Sequence, residues 1–276
     1  MPTQAEKGER FRALHQGAAA FVIPNPWDAG TAKILASLGF EALATTSAGL
    51  AFALGRVDGQ VSRDEALANA AAICAATHLP VSADLENLYA HAPDVAAATI
   101  PSAAAAGLVG CSIEDATGDP ANPIYPLDVA IARVAAAVAA ARALPFPFTL
   151  TARAENFLHG RRDMDDTLAR LKAYDAAGAD VLYAPGLGEL DQIATVAKAT
   201  AKPVNALIHP AITHISVADL SRIGVRRISV GSGLARAALG GFLAAAEEIK
   251  THGTFTYGKT AIPGPRLNSI LSKDIV

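Results

Sequence analysis

The chain has 276 residues, of which 51% are hydrophobic and 18% charged, with a formal net charge of -3 at pH 7. That is enough apolar material for a large α/β domain with a substantial core. No stretch is dense in Lys and Arg, so neither nucleic acid nor an anionic membrane is expected as a partner.

The first 16 residues are charged and hold no apolar run followed by a cleavage site, which leads to an expected cytoplasmic location. Beyond them, eight apolar, β-branched runs read as strands: 20–24, 42–46, 81–85, 108–113, 148–152, 181–184, 204–208 and 227–230. Segments such as 64–77, 165–177, 190–200 and 217–223 have helical composition and length. This alternation predicts an α/β fold, a (β/α)8 TIM-type barrel over residues 1–250. An open doubly wound sheet is the runner-up, but the first strand runs into Asn25-Pro-Trp-Asp-Ala-Gly30 without a G-x-G-x-x-G turn. Residues 251–276 hold Gly253, Gly258 and Pro263-Gly-Pro265 and read as a C-terminal extension with a short final helix at best. Such an arm either crosses to a neighbouring subunit or is disordered.

In a barrel, polar residues just after each strand gather at one mouth, where such folds place their chemistry. Asn25 and Asp28 follow the first strand, and Thr45, Thr46 and Ser47 the second. Asp84 and Glu86 follow the third, Glu114 and Asp115 the fourth, and Arg153, Glu155 and Asn156 the fifth. Asp84 and Glu86 alternate along an extended run and so converge, and Glu114 ends the neighbouring run. Three carboxylates at strand ends point to a hard cation, Mg2+ or Mn2+, held partly through water. Arg153 is a planar fork suited to a carboxylate or phosphonate. A cation site beside an arginine points to a small anionic substrate.

Two loops are long. Residues 50–63 carry Gly55-Arg-Val-Asp-Gly59. Residues 117–127 carry Gly118, Pro120, Pro123 and Pro126, which work against regular structure and make a candidate lid next to Glu114. Trp27 is either a pocket wall or a packing anchor, and Asn205 either orients substrate or forms a turn. His159 and His209 are near the expected mouth, and structural roles are favoured for both. The two cysteines, Cys74 and Cys111, read as small buried hydrophobes without a disulfide.

The segments Ile23-Pro-Asn-Pro-Trp-Asp-Ala-Gly30, Thr45-Thr-Ser-Ala-Gly49, Leu54-Gly-Arg-Val-Asp-Gly59, Asp84-Leu-Glu86, Ser112-Ile-Glu-Asp115 and Thr151-Ala-Arg-Ala-Glu-Asn156 together resemble the isocitrate lyase/phosphoenolpyruvate mutase superfamily. The resemblance implies a Mg2+-dependent enzyme that cleaves a C–C or C–P bond beside a carboxylate through an enolate. It implies that Asp84, Glu86 and Glu114 hold the metal, that Arg153 pairs with a substrate anion, and that Asp58 contributes to catalysis. It also implies substrate contacts from the turn Thr46, Ser47 and Ala48.

The superfamily's isocitrate and methylisocitrate lyases carry a Lys-Lys/Arg-Cys-Gly-His loop after the fourth strand. Here the loop is Asp115-Ala-Thr-Gly-Asp-Pro-Ala-Asn-Pro-Ile-Tyr125, without cysteine or lysine. Asn122 corresponds to the asparagine of the mutases. Isocitrate is therefore expected to be a poor substrate. The expected function is a Mg2+-dependent lyase or hydrolase cleaving a C–C bond in a small 2-oxo or 2-hydroxy carboxylate, by a homo-oligomer, dimer or tetramer. Phosphonomutase-type C–P chemistry and a non-catalytic metabolite-binding barrel are the alternatives.

Overall fold

A computed structural model describes residues 2–209, 212 and 214–272. Eight parallel strands carry the fold: β1 (Phe21–Ile23), β2 (Leu43–Ala44), β3 (Val81–Ala83), β4 (Gly110–Glu114), β5 (Thr149–Arg153), β6 (Val181–Tyr183), β7 (Val204–Leu207) and β8 (Arg227–Ser229). Their hydrogen-bonded order runs β1-β8-β7-β6-β5-β4-β3-β2. The expected (β/α)8 architecture is therefore present, with the expected strands in order; β4 and β5 run one residue past their expected ends, to Glu114 and Arg153, and the others are shorter at one or both ends.

Closure between β1 and β2 depends on few contacts. Ala44 N donates to Pro24 O at 3.1 Å. Asn25 adds a side-chain clamp: its Oδ1 accepts from Val230 N at 3.0 Å and Gly231 N at 2.9 Å, while its Nδ2 donates to Thr45 O at 3.0 Å. One amide thus ties β1 to the ends of β8 and β2, replacing ladder bonds that two such short strands do not make.

The helix Gln4–Leu14, capped by Thr3 through a capping box, closes the other end of the barrel. Its Phe11 is fully buried with Phe21, Ile23, Ala42, Ala44 and Val109. Gly110 is needed where that ring enters, since a Cβ there would lie 2.6 Å from Thr149 O and 3.0 Å from Phe11 Cε1. The helices Arg63–Ala75, Met164–Ala176, Leu190–Lys198 and Val217–Arg222 match the expected helical segments to within about two residues. Cys74 and Cys111 are free, Cys111 being buried.

Two local expectations need correction. The segment 50–63 is not all loop, because the helix Ser47–Ala53 extends into it. The candidate lid contains an antiparallel bridge between Ala116 and Ile124, with Thr117 N donating to Pro123 O at 2.9 Å. Pro123 takes part only through its carbonyl, which needs no N–H, so the prolines do not prevent it. The last barrel helix runs Gly233–His252. The extension then makes a 3-10 turn, Thr256–Lys259, and the helix Gly264–Leu271. That final helix packs on the chain's own helix Ala29–Ser37, with Lys33 Nζ donating to Leu271 O at 2.8 Å. Among the described residues no helix is long and apolar enough to cross a membrane.

Candidate active site

Asp84 is the first residue after β3 and stands at the centre of the mouth. Its Oδ2 accepts from Ser47 Oγ at 3.0 Å and Ser47 N at 3.4 Å. Its Oδ1 accepts from Ser112 Oγ at 3.2 Å and Arg153 Nη1 at 2.9 Å. Ser47 is held in place because Thr46 caps the helix Ser47–Ala53, Thr46 Oγ1 accepting from Gly49 N at 3.2 Å. Trp27 lies against the same turn: a Cβ on Gly49 would come within 3.1 Å of Trp27 Cβ.

Arg153, the last residue of β5, distributes its guanidinium over three carboxylates. Nη1 meets Asp84, Nη2 lies 3.3 Å from Glu114 Oε2, and Nε donates to Glu155 Oε1 at 2.7 Å. The guanidinium also lies 5.1 Å from the Tyr183 ring centroid. That contact follows from register, since Arg153 and Tyr183 are paired across β5 and β6.

The acids outnumber this cation. Asp58, Asp84, Glu86, Glu114 and Glu155 surround Arg153, and burial and mutual repulsion keep several of them from ionising freely. Burial, then the Asp84 and Asp58 charges, push Glu86 up to about 7. Glu114 and Glu155 are raised, first by burial, with Arg153 opposing. Asp58 is raised by the protein packed around its carboxyl and by the Asp84 charge, even though the loop that carries it is exposed. From the barrel floor, Arg227 lines the same cavity as Asp84, Ser112 and Arg153; its Nη1 donates to Thr151 Oγ1 at 2.9 Å, and burial lowers it to about 10. Roomier grooves lie at the opposite end of the barrel, one of them lined by Arg12, His15, Arg142, Asp180 and Lys202, but several carboxylates do not gather there as they do at the mouth.

The arrangement sets limits on a metal. Among the described residues no three His, Cys, Asp or Glu side chains stand close enough to ligate one ion together. Glu86 Oε1, however, is buried without a hydrogen-bond partner, beside an excess of negative charge. This donor set fits a hard cation held directly by one carboxylate and through water by the others; it does not fit a cage of three direct carboxylates.

The remaining expected site residues fall into two groups. Thr46, Ser47 and Ala48 form the turn beside Asp84. Asn205 is buried in the barrel, donating to Ser229 Oγ at 2.9 Å, with its own Oδ1 unpartnered. Asn122 is exposed and bonds within its loop, Nδ2 to Asp119 Oδ2 at 3.2 Å, so it is not brought to Asp84. His159 is exposed, and His209 Nε2 lies 3.4 Å from Arg236 Nη1.

Ser112 and Tyr183 were missed by the sequence reading. Ser112 had a signal, since it is two residues before Glu114 on one strand and so faces the same side. Tyr183 had none, because its place depends on the β5–β6 register.

The chain matches the family model for phosphoenolpyruvate phosphomutase over residues 11–250. It belongs to that family. A Burkholderia cenocepacia J2315 structure, whose lyase/mutase activity is itself an assignment, is similar at 57% identity and a TM-score of 0.96, covering 98% of this chain and 97% of that one. An uncharacterised Mycobacterium tuberculosis protein is 34% identical over 80% of this chain and 81% of its own length. An oxaloacetate decarboxylase from a Bradyrhizobium species is 30% identical over 79% of this chain and 73% of its own length.

Proposed function

We propose that the chain is a divalent-cation-dependent lyase or hydrolase that cleaves a C–C bond in a small 2-oxo or 2-hydroxy carboxylate by way of an enolate. The observation that carries the reading is the excess of carboxylates over one guanidinium at the barrel mouth, with a buried Glu86 oxygen left unpartnered. Asp84 would hold Mg2+ or Mn2+ directly, with Glu86, Glu114 and Asp58 acting through its water. When bound, the cation would draw charge from a carbonyl oxygen as the bond beside it breaks.

The chain's own residues supply the rest. The Thr46–Ser47–Ala48 turn offers hydrogen-bond donors to the planar carboxylate that develops, and donors already fixed in place favour the charge of the transition state over that of the ground state. Arg153 keeps N–H groups beyond those used on Asp84, Glu114 and Glu155, and these are assigned to the substrate anion. Trp27 walls the pocket beside that turn, and Asn205 lies in the barrel beneath it. Asn122, on the lid, reaches substrate only if the lid moves.

C–P chemistry is the second reading, supported by the mutase named in the family model. The lid sequence opposes it, as residues 116–126 contain no lysine. A homo-oligomer is also part of the proposal. In the 20-residue helix Gly233–His252 only Ala235 is buried, while Leu239, Phe242 and Leu243 are exposed at 45%, 71% and 56%. An apolar face of that size is best covered by a second copy.

The test is turnover of a panel of small 2-oxo and 2-hydroxy acids, oxaloacetate included, followed by product NMR with and without Mg2+. Mg2+-dependent release of a 2-oxo acid or of oxalate supports the reading. Binding of these acids with no turnover in either condition would leave a metabolite-binding barrel in its place.

A further inference from the structure

The loop that carries Glu86 has an unusual backbone. Glu86, Leu88 and Tyr89 have φ of 50°, 60° and 60°, the left-handed region, and none of them is glycine. Side chains with a Cβ enter that region only at a cost, so surrounding contacts must hold them there. Thr99 Oγ1 donates to Leu88 O at 3.1 Å, and Tyr89 N donates to Asn87 Oδ1 at 3.0 Å.

Backbone bonds also pin this loop, Glu114 N to Glu86 O at 3.0 Å and Leu88 N to Leu85 O at 2.8 Å, and among side chains the most bonds come from one distant residue. Arg133, in the helix Leu127–Arg142, is 1% exposed. Its Nη1 donates to Ala90 O at 2.6 Å and also to His91 O, and its Nη2 donates to Asn87 O. Among the described residues it forms no ion pair with an acid, so its buried charge is spent on these carbonyls. The same guanidinium lies 4.4 Å from the ring centroid of Tyr125, a lid residue, and Tyr125 Oη is 2.6 Å from His91 Nδ1.

We infer that Arg133 is a positioning residue for the cation site: it clamps the carbonyls of residues 87, 90 and 91 and so holds Glu86 in the left-handed conformation that points its carboxylate at the site. The inference rests on the proposed cation site. A guanidinium is required because only a planar fork reaches carbonyls on both sides at once. A lysine keeps the charge and the stem but cannot span them, so Glu86 relaxes toward ordinary backbone angles and leaves the site.

The test uses Mn2+ alone, without substrate, its binding read by electron paramagnetic resonance of the free ion, beside the thermal midpoint of the metal-free protein. Wild type, Arg133→Lys, Thr99→Val and Asp84→Asn are compared. Arg133→Lys is expected to weaken Mn2+ binding by about 10-fold or more, the usual effect of losing a group that orients a ligand. Thr99→Val, which loses one bond to the same loop in an isosteric side chain, is expected to weaken it by a smaller factor and keeps the question open to measurement if Arg133→Lys does not fold. A purely structural role lowers the midpoint but leaves Mn2+ affinity of the folded protein unchanged, and that result in whichever variants fold overturns the inference. Failure of wild type itself to bind Mn2+ overturns the cation site as well. Binding by wild type that is lost in Asp84→Asn but kept in the loop variants overturns this inference alone.

Discussion

Arg153 Nη1 lies 2.9 Å from Asp84 Oδ1, so the group assigned to the substrate is bonded to the group assigned to the cation. The two roles are therefore not independent. On the proposed reading, a cation at Asp84 would compete with Arg153 for its oxygens and free guanidinium donors for the substrate, an order of cation first, then anion.

Arg153→Lys is expected to act on both binding and folding. Lysine keeps the charge but cannot face Asp84, Glu114 and Glu155 together, and the loss of charge-assisted bonds costs about 1 to 3 kcal/mol. Oxalate affinity in the presence of Mg2+ should fall by that amount, and the thermal midpoint of the metal-free protein should also fall. Calorimetry and a melting curve decide it; a variant that melts normally and binds oxalate normally would remove Arg153 from both roles.

The elevated Glu86 carboxyl makes the metal-free protein sensitive to pH. Its folded value is about 7, above the ordinary carboxyl value of 4.5, so between those values the folded state holds a proton that the unfolded state has released. Its stabilising contribution is complete below about 4.5 and is lost as pH rises through about 7. Denaturation midpoints without metal should therefore decline over that window, and Glu86→Gln should flatten the decline. An identical slope in the variant would assign the effect to other groups.

Sequence alone was enough to place Asp84, Glu114 and Arg153, because each ends a hydrophobic run and parallel strands deliver such ends to one mouth. What it left out depends on geometry between distant segments. The sharing of Arg153 among three acids needs the packing of β3, β4 and β5 side by side, and its contact with Tyr183 needs the β5–β6 register. The left-handed Glu86 carries no glycine to announce it, and its clamp, Arg133, is 47 residues away in an alanine-rich helix with no sequence feature that links the two. Asn25, which the sequence marks only as a polar residue after the first strand, stitches the seam between β1 and β2.

The lid is expected to show two rates of hydrogen exchange. Thr117 N and Tyr125 N are already bonded to Pro123 O and Asp115 O, at 2.9 Å each, so they should exchange slowly without ligand. Residues 118–122 form its exposed tip and should slow only when Mg2+ and oxalate are both present. Unchanged exchange across 118–122 on adding both would exclude closure.

Phe242→Glu places a charge in the exposed apolar face of the helix Gly233–His252. Sedimentation should report a smaller assembly than wild type, with the barrel's far-ultraviolet spectrum retained. The same sedimentation coefficient in both proteins would move the interface elsewhere.

The most direct test of the central claim is oxalate affinity by calorimetry with saturating Mg2+ and again with excess chelator. Oxalate has the planar shape and charge of a small enolate, and the mouth of the cation-free barrel presents carboxylates to it. Binding is expected with Mg2+ and none without it. Equal affinity in the two conditions would contradict a cation-dependent enolate site.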